Sequence, residues 1–502
     1  MVDDGIEHPV ADLHRHDALQ AASALRLGSH VPDDVTTETL LGRAAGDVDH
    51  DLALIELAYA AGRYNIISST GHLPATLQGV WQGTWSPAWS ADYTLNGNMQ
   101  NGAIASLVST GTPELMRSVS RLLVPHLDDF RTNAKRIFGV EGALLPSRMS
   151  SHGLANHFSP AFPLQFWMGS GGWVLRMLAD AVLATGDRSL VDDHSWHLVE
   201  EVLRFYQAVA SQERLAPAYS PENTPLGSST AISVDPAMDV AILRDVARSA
   251  RVLAEARGVP PVEIPAVGPR YRVEGGRLAE WSFPGQADQV AHRHTSQLYA
   301  LWYEADEAFT DPELRAAAAK LIHDKIAWRA ENPGPPPGNM EMAFGLTQLG
   351  LAAATLGDHV ALEQCVQWLA RLHFTPAMTT THDAGRLFNV DASGGLPALI
   401  AAALVQSTRD TIRLLPARPS SWTRGSVSGL TTRTGLRVVT LNWADDGVRL
   451  VLAADAVSRW VRREGVTVLL PRPATVNDGT EPVDSFRLDD SDSHTLELRW
   501  AG

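Results

Sequence analysis

Cysteine is almost missing from this chain: Cys365 stands alone, so neither an intrachain disulfide nor a cysteine-based zinc site can form. It lies in "LEQCVQWLA" among apolar neighbours at helical spacing, which predicts a buried structural thiol. Lysine is nearly as scarce. Lys135, Lys320 and Lys325 are the only three, and arginine supplies the rest of the 41 basic residues, a bias that points to a GC-rich genome. Against 57 acidic residues the net charge is −16, which opposes binding to phosphate backbones, so no nucleic acid is expected as a partner. No run approaches the ~20 apolar residues of a membrane span, and membrane insertion is not expected. The opening "MVDDGIEHPV" lacks a basic stretch followed by an apolar one. As it stands the chain reads as cytoplasmic, and as secreted if its native beginning is missing.

What is present is an ordinary globular balance, 45% hydrophobic and 20% charged over 502 residues, enough for roughly two to four domains. From about residue 50 to 408 the pattern is helical. "HLVEEVLRFYQAVA" puts Leu198, Val199, Val202, Phe205, Tyr206 and Val209 on one face, and "DVAILRDVARSARVLAEARG" does the same with Leu243, Val246, Ala250 and Leu253 before stopping at Gly258. Thr112-Pro113 and Asp311-Pro312 read as N-caps before a first-turn proline. Gly186-Asp187 and Gly357-Asp358 each end one helix and start the next segment. Repeated helical hairpins without a strict repeat favour a closed toroid over a solenoid. Residues 1–50 read as a helical linker. From about 409, "LRVVTLNW", "VRLVLAA", "VTVLLP" and "HTLELRW" predict a small antiparallel, sandwich-like β domain.

Three long segments break the helical pattern: "TGHLPATLQGVWQGTWSPAWSADYTLNGNMQN", "APAYSPENTPLGSST" and "TTTHDAGRLFNVDASGG". Long loops on a helical scaffold commonly carry function. In the first, Trp81, Trp85 and Trp89 recur every four residues, but Gly83 and Pro87 between them argue against a helix. Tryptophan faces suit sugar rings, and they equally suit a core. Asn96 and Asn98 can hold hydroxyls or orient a water, or simply form a turn. Glu222, between Pro221 and Pro225, is a carboxyl on a stiffened loop, fit for a general acid if apolar walls raise its pKa, and otherwise a solvated glutamate. Asp391 precedes a new helix and could cap it, with Asp383 competing for any catalytic role. His292 and His294 flank Arg293 in "HRHTSQLY". Two histidines without a third ligand argue for hydrogen bonding to hydroxyls rather than a metal. There is no P-loop, dinucleotide fingerprint or GxSxG elbow, so phosphoryl transfer, hydride transfer and serine hydrolysis lack support.

Taken in order, "GRYNIISSTGHLPATLQGVWQGTWSPAWSADYTLNGN", "GGWVLRMLADAVLATGD", "SPENT", "HRHTSQLYALW", "FNVDASGG" and "IRLLPARPSSWTRGSVSGLTTRTG" resemble successive landmarks of glycoside hydrolase family 95, over about residues 20–450. The resemblance implies an (α/α)6 barrel and an inverting α-L-fucosidase or α-L-galactosidase that needs no cofactor or metal and acts on oligosaccharides. Inversion sets an acid on one face of the anomeric carbon and an activated water on the other. By matching motif, Glu222 resembles the general acid, Asp391 the carboxylate that polarises the asparagines, and Asn96 and Asn98 the holders of the water. Arg293, His294 and Trp173 fall where the family binds its deoxy sugar, and Trp85 and Trp89 are candidates for sugar contact. Departures stand out. Met99, Gln100, Asn101 and Gly102 replace a Gln-Met-Asn-Tyr-Trp-like run, "GNMEMAF" with Glu341 replaces Trp-Ser-Arg-Ala-Trp, and Ala-Ser-Gly-Gly follows Asp391. The family's large N-terminal β domain has no counterpart in this chain. The rivals are a lyase with His294 or Tyr299 as base, another toroid glycosidase, and an inactive sugar-binding protein.

Overall fold

The structure, a computed structural model, describes residues 9–501 apart from 33, 43–45, 82–83, 157–158 and 335–341. Gly83 and Glu341 therefore lie outside the described residues. The principal helices are α1 (Val48–Ser68), α2 (Gly169–Thr185), α3 (Asp193–Ala210), α4 (Ala237–Arg257), α5 (Pro312–Glu331), α6 (Ala343–Leu356), α7 (His359–His373) and α8 (Asp391–Leu404).

Their ends follow the local chemistry. Gly186, Gly258 and Gly357 adopt φ of 68°, 76° and 80° just past α2, α4 and α6, the left-handed conformation that closes a helix. Asp311 and Asp358 accept from the backbone N–H groups of Glu313 (2.8 Å) and Ala361 (3.0 Å), capping α5 and α7. The predicted apolar face of α3 is buried along its length, as is Cys365 in α7. Thr112 departs from expectation, because its hydroxyl donates back to the Leu107 carbonyl (3.3 Å) rather than capping the turn at Pro113.

Six inner segments close a ring among the described residues. Residues 98–109 pack on α2, α2 on α4, α4 on the short turn Ser296–Leu301, that turn on α6, α6 on α8, and α8 back on residues 98–109. Helices α1, α3, α5 and α7 lie outside, and α8 packs on α1 so that the end of the ring meets its start. This is the helical toroid. Two inner members are short and irregular, which is why helical periodicity alone did not count six.

Beneath the ring sits one nine-stranded sheet. Its strands are β1 (Ala24–Arg26), β2 (Val405–Ser407), β3 (Thr411–Leu414), β4 (Gly425–Thr431), β5 (Arg437–Ala444), β6 (Gly447–Ala453), β7 (Thr467–Val476), β8 (Val483–Arg487) and β9 (Ser493–Trp500), in the order β1-β4-β5-β6-β9-β7-β3-β2, with β8 on β7. All pairs are antiparallel except β3 with β7, which run parallel from Thr411 and Thr467. Helix α8 runs straight into β2, so the C-terminal run of strands begins at residue 405. The N-terminal segment is more than a linker, since β1 extends the sheet by pairing Leu25 with Val427. Arg63 of α1 fastens that segment, donating to the carbonyls of Leu19 (2.9 Å), Gln20 (2.6 Å), Ser23 (2.9 Å) and Thr110 (3.1 Å).

Arg433, next to β4, donates to both oxygens of Asp180 in α2 (2.8 and 2.6 Å), and Arg176 pairs with the same carboxylate at 3.0 Å. Burial alone would raise the Asp180 pKa, but the two guanidinium groups outweigh it and hold the carboxyl well below its usual range. Sheet and ring are thus tied at one mouth of the toroid. The long loops gather at the other.

Candidate active site

The run that carries the asparagine pair does not stay a loop. After a two-residue strand at Tyr93–Thr94, residues Asn98–Ile104 wind into a π-helical turn that continues into Ala105–Ser109. Gly97 has φ 151°, and a β-carbon there would lie 3.2 Å from the Phe344 ring. That backbone, closed to other residues, sends the two asparagines to different partners. Asn98 Nδ2 donates to Asp391 Oδ2 (2.7 Å), whereas Asn96 Nδ2 donates to Glu222 Oε1 (3.1 Å).

Asp391 is the first residue of α8, yet its side chain does not cap the helix. Its Oδ2 accepts from Asn98 and from Asn389 Nδ2 (3.0 Å), while Asn389 Oδ1 accepts from the Asp391 backbone N–H (2.6 Å). Close approach of two backbones makes this possible. A β-carbon on Gly394 would fall 1.2 Å from the Gly102 carbonyl oxygen, and one on Gly102 would lie 2.9 Å from Asp391 Oδ1. That Oδ1 is buried without a hydrogen-bond partner among the described residues. Burial raises the Asp391 pKa to about 6, against the lowering effect of Asn98, Asn389 and His373. A carboxylate in this state polarises Asn98. Asn98 lines the cavity, and its Oδ1 makes no hydrogen bond among the described residues.

Glu222 is held from several sides. Its Oε2 accepts from an Arg293 NH2 nitrogen at 2.5 Å, with His294 Nε2 at 4.0 Å. Its backbone carbonyl accepts from His292 Nε2 (3.1 Å), and the Pro221 carbonyl from the Ser296 hydroxyl (2.7 Å). The His294 backbone N–H donates to His292 Nδ1 (3.2 Å), so both ring nitrogens of His292 are engaged and the imidazole is the neutral Nε2–H form. Burial, then Arg293, pushes the pKa of both histidines well down, which agrees with that tautomer.

Glu222, Arg293, His294, Asn98 and Trp89 line one cavity of about 330 Å³, with Leu77, Met342, Phe344 and Leu387 as its apolar wall. The predicted residues divide accordingly. Trp89 packs on His382 with ring centroids 4.8 Å apart, and Arg148 donates to its carbonyl (2.8 Å). Trp85 is fully exposed, at 103%, and lies outside the cavity lining. Trp173 corrects an expectation. It is wholly buried between Tyr299 and Trp302, and its indole donates to the Tyr303 hydroxyl (2.7 Å). It serves the core and lies outside the cavity lining. Tyr299 cannot act as a base in this cavity, since it is buried and its hydroxyl donates to Asp245 (3.1 Å).

Asp383 lines the cavity but binds its own loop, accepting from the Leu387 N–H (3.1 Å), while Asn98 and Asn389 engage Asp391. Four site residues were missed in the sequence: Asn389, His382, Arg148 and Phe344. Asn389 and His382 stood inside quoted motifs, two residues before Asp391 and next to Asp383. Phe344 closes the quoted "GNMEMAF" stretch, whereas nothing local marked Arg148, whose role depends on the tertiary fold.

One carboxyl at the cavity wall is held by an amide and a guanidinium, and a second, buried one reaches the same cavity through an amide. The chain matches the Glycosyl hydrolase family 95 catalytic domain over residues 8–404 and the Glycoside hydrolase family 95, C-terminal domain, over residues 406–489. It belongs to glycoside hydrolase family 95. Among curated proteins it is similar to Alpha-L-fucosidase 2 of Arabidopsis thaliana, 26% identical over 436 residues, a match covering 79% of this chain and 49% of that protein. The chain thus spans about half the length of that relative. Among solved structures it is similar to a putative kojibiose phosphorylase from human microbiome, with TM-score 0.57 and 10% identity over 98% of this chain and 68% of the other. That likeness is one of fold alone.

Proposed function

We propose that this cavity removes a terminal α-linked L-fucose, or a related L-sugar such as L-galactose, from an oligosaccharide, with inversion at the anomeric carbon. The division of the asparagine pair carries this reading: Asn96 holds Glu222, and Asn98 links Asp391 to the cavity. Glu222 is the general acid, giving its proton to the glycosidic oxygen as the bond to the anomeric carbon breaks. A water accepted at Asn98 Oδ1 forms the new carbon–oxygen bond from the other face, and its proton passes to the Asn98–Asp391 pair. With a pKa of about 6, Asp391 is ionised at neutral pH and ready to take it. Glycoside and water become sugar and alcohol, and no cofactor enters the balance.

Arg293, His294 and Trp89 bind the sugar ring in this account. A cavity of about 330 Å³ lies at the small end of the usual ~300–1,000 Å³ for ligand sites, which suits one ring and exo action. The apolar wall at Leu77, Met342, Phe344 and Leu387 suits the methyl group of a 6-deoxy sugar, and the name of the Arabidopsis relative supports the same sugar. The test is sugar release from an α-1,2-fucosylated oligosaccharide and, in parallel, from an α-L-galactoside. Glu222→Gln and Asp391→Asn should each lose at least ~10²-fold in kcat. Retention of activity by Glu222→Gln would remove Glu222 from the role of acid.

A further inference from the structure

Behind the cavity lies a charged cluster that touches neither Asn98 nor Asp391. Glu280, only 2% exposed, accepts from the Ser220 hydroxyl at Oε1 (2.6 Å) and from Asn223 Nδ2 at Oε2 (2.7 Å). These two residues bracket Pro221 and Glu222 in the chain, so a single carboxylate grips both flanks of the proposed acid. Asp288 accepts the Glu280 backbone N–H (2.7 Å) and fixes the platform from below. Lys325 of α5, 1% exposed, spends its three N–H bonds on the carbonyls of Val290 (3.2 Å), His292 (2.7 Å) and His294 (3.1 Å). Those carbonyls belong to the segment that presents Arg293 and His294. The two charges feel each other: burial pushes Lys325 down and Glu280 partly offsets this, while burial and Asp288 push Glu280 up and Lys325 opposes them. Burying Glu280 and Lys325 adds little net stability, because apolar side chains of the same size would serve as well.

We propose that Glu280 and Lys325 are positioning residues that lock the Glu222 loop against the Arg293–His294 segment, so that the acid points at the leaving-group oxygen. Glu280 fixes one loop by its side-chain flanks and Lys325 fixes the other by its backbone. His292 and Ser296, which donate to the Glu222 and Pro221 carbonyls, bridge the two. A misplacement of about 1 Å at such a site costs on the order of 10²-fold. The inference rests on Glu222 being the proton donor proposed above.

Leaving-group dependence separates aim from general damage. A fucoside with an alcohol leaving group needs the acid, whereas a 2,4-dinitrophenyl α-L-fucoside departs without protonation. Glu280→Ala should lose roughly 10- to 100-fold in kcat on the first substrate, and less than about threefold on the second, with KM little changed. Glu280→Gln should recover most of the loss, since its carbonyl accepts from Asn223 while its NH2 donates to the Ser220 oxygen. Asn223→Ala, which cuts one tether and leaves the buried carboxylate in place, should show the same pattern more weakly, and serves should Glu280→Ala fail to fold. A crystal structure of Asn223→Ala should show Glu222 moved off Asn96. Equal loss on both substrates, or an unmoved Glu222, would overturn the positioning role. A wild type that cleaves neither fucoside would instead sink the proposed function, leaving the crystallographic result to decide the inference.

Discussion

At the scale of single residues, Asp391 is the costliest feature of the site. Its pKa in the folded protein, about 6, stands above the usual carboxylate value because of burial, only partly offset by Asn98, Asn389 and His373. A group whose folded pKa is raised binds its proton more tightly in the folded state. Its contribution to stability is therefore fully present below about pH 4 and lost as pH rises through about 6. Asp391→Asn removes this dependence. The unfolding free energy of the variant should gain on that of wild type between pH 4.5 and 7.5 by on the order of 2–3 kcal/mol in denaturant titrations, while activity disappears. A constant gap across that range would show that Asp391 does not titrate there. The tryptophans divide on the same scale. Trp89→Ala should raise KM several-fold with kcat nearly intact, and Trp85→Ala, at a side chain fully in solvent, should change neither. Steady-state kinetics on one fucoside decide both.

At the scale of elements, the contact between the π-helical turn Asn98–Ile104 and α8 sets the Asn98–Asp391 pair. Gly394→Ala would drive a methyl group to within 1.2 Å of the Gly102 carbonyl, so the two segments must part. The expected result is a loss of more than about 3 kcal/mol in denaturant unfolding and near-complete loss of kcat, whereas a stable, active variant would mean that the contact is not needed. Here the limits of reading the chain are visible. Helix stops at Gly186, Gly258 and Gly357 and caps at Asp311 and Asp358 were legible because they depend on neighbours within four residues. The helical turn at Asn98 was not, since it exists through Gly102 and Gly394, nearly 300 positions apart. For the same reason Trp173 read as a sugar contact. Its motif marked the position, but only the fold shows that the side chain lies in the core. Glu222, Asp391 and Asn98 stood out in the long loops, but the roles expected of them came from a resemblance of motifs, not from their spacing.

At the scale of the whole molecule, the sheet braces the ring at the mouth opposite the cavity. Arg433→Met leaves Asp180, 3% exposed, with only Arg176 as an ion-pair partner among the described residues. Removal of one member of such a buried pair costs roughly 3–5 kcal/mol. Unfolding monitored by tryptophan fluorescence should shift to lower denaturant by that amount, and no shift would mean that the ring stands without the sheet. The strand β1 ties the beginning of the chain to its C-terminal half in a way that composition did not reveal, because three residues carry no periodic signal. The central claim, that an acid on one side and an asparagine-held water on the other act across one sugar, is tested most directly by proton NMR of the sugar as it is first released. β-L-Fucose appearing first from an α-1,2-fucosylated oligosaccharide, before mutarotation, is the predicted result. α-L-Fucose appearing first would contradict it.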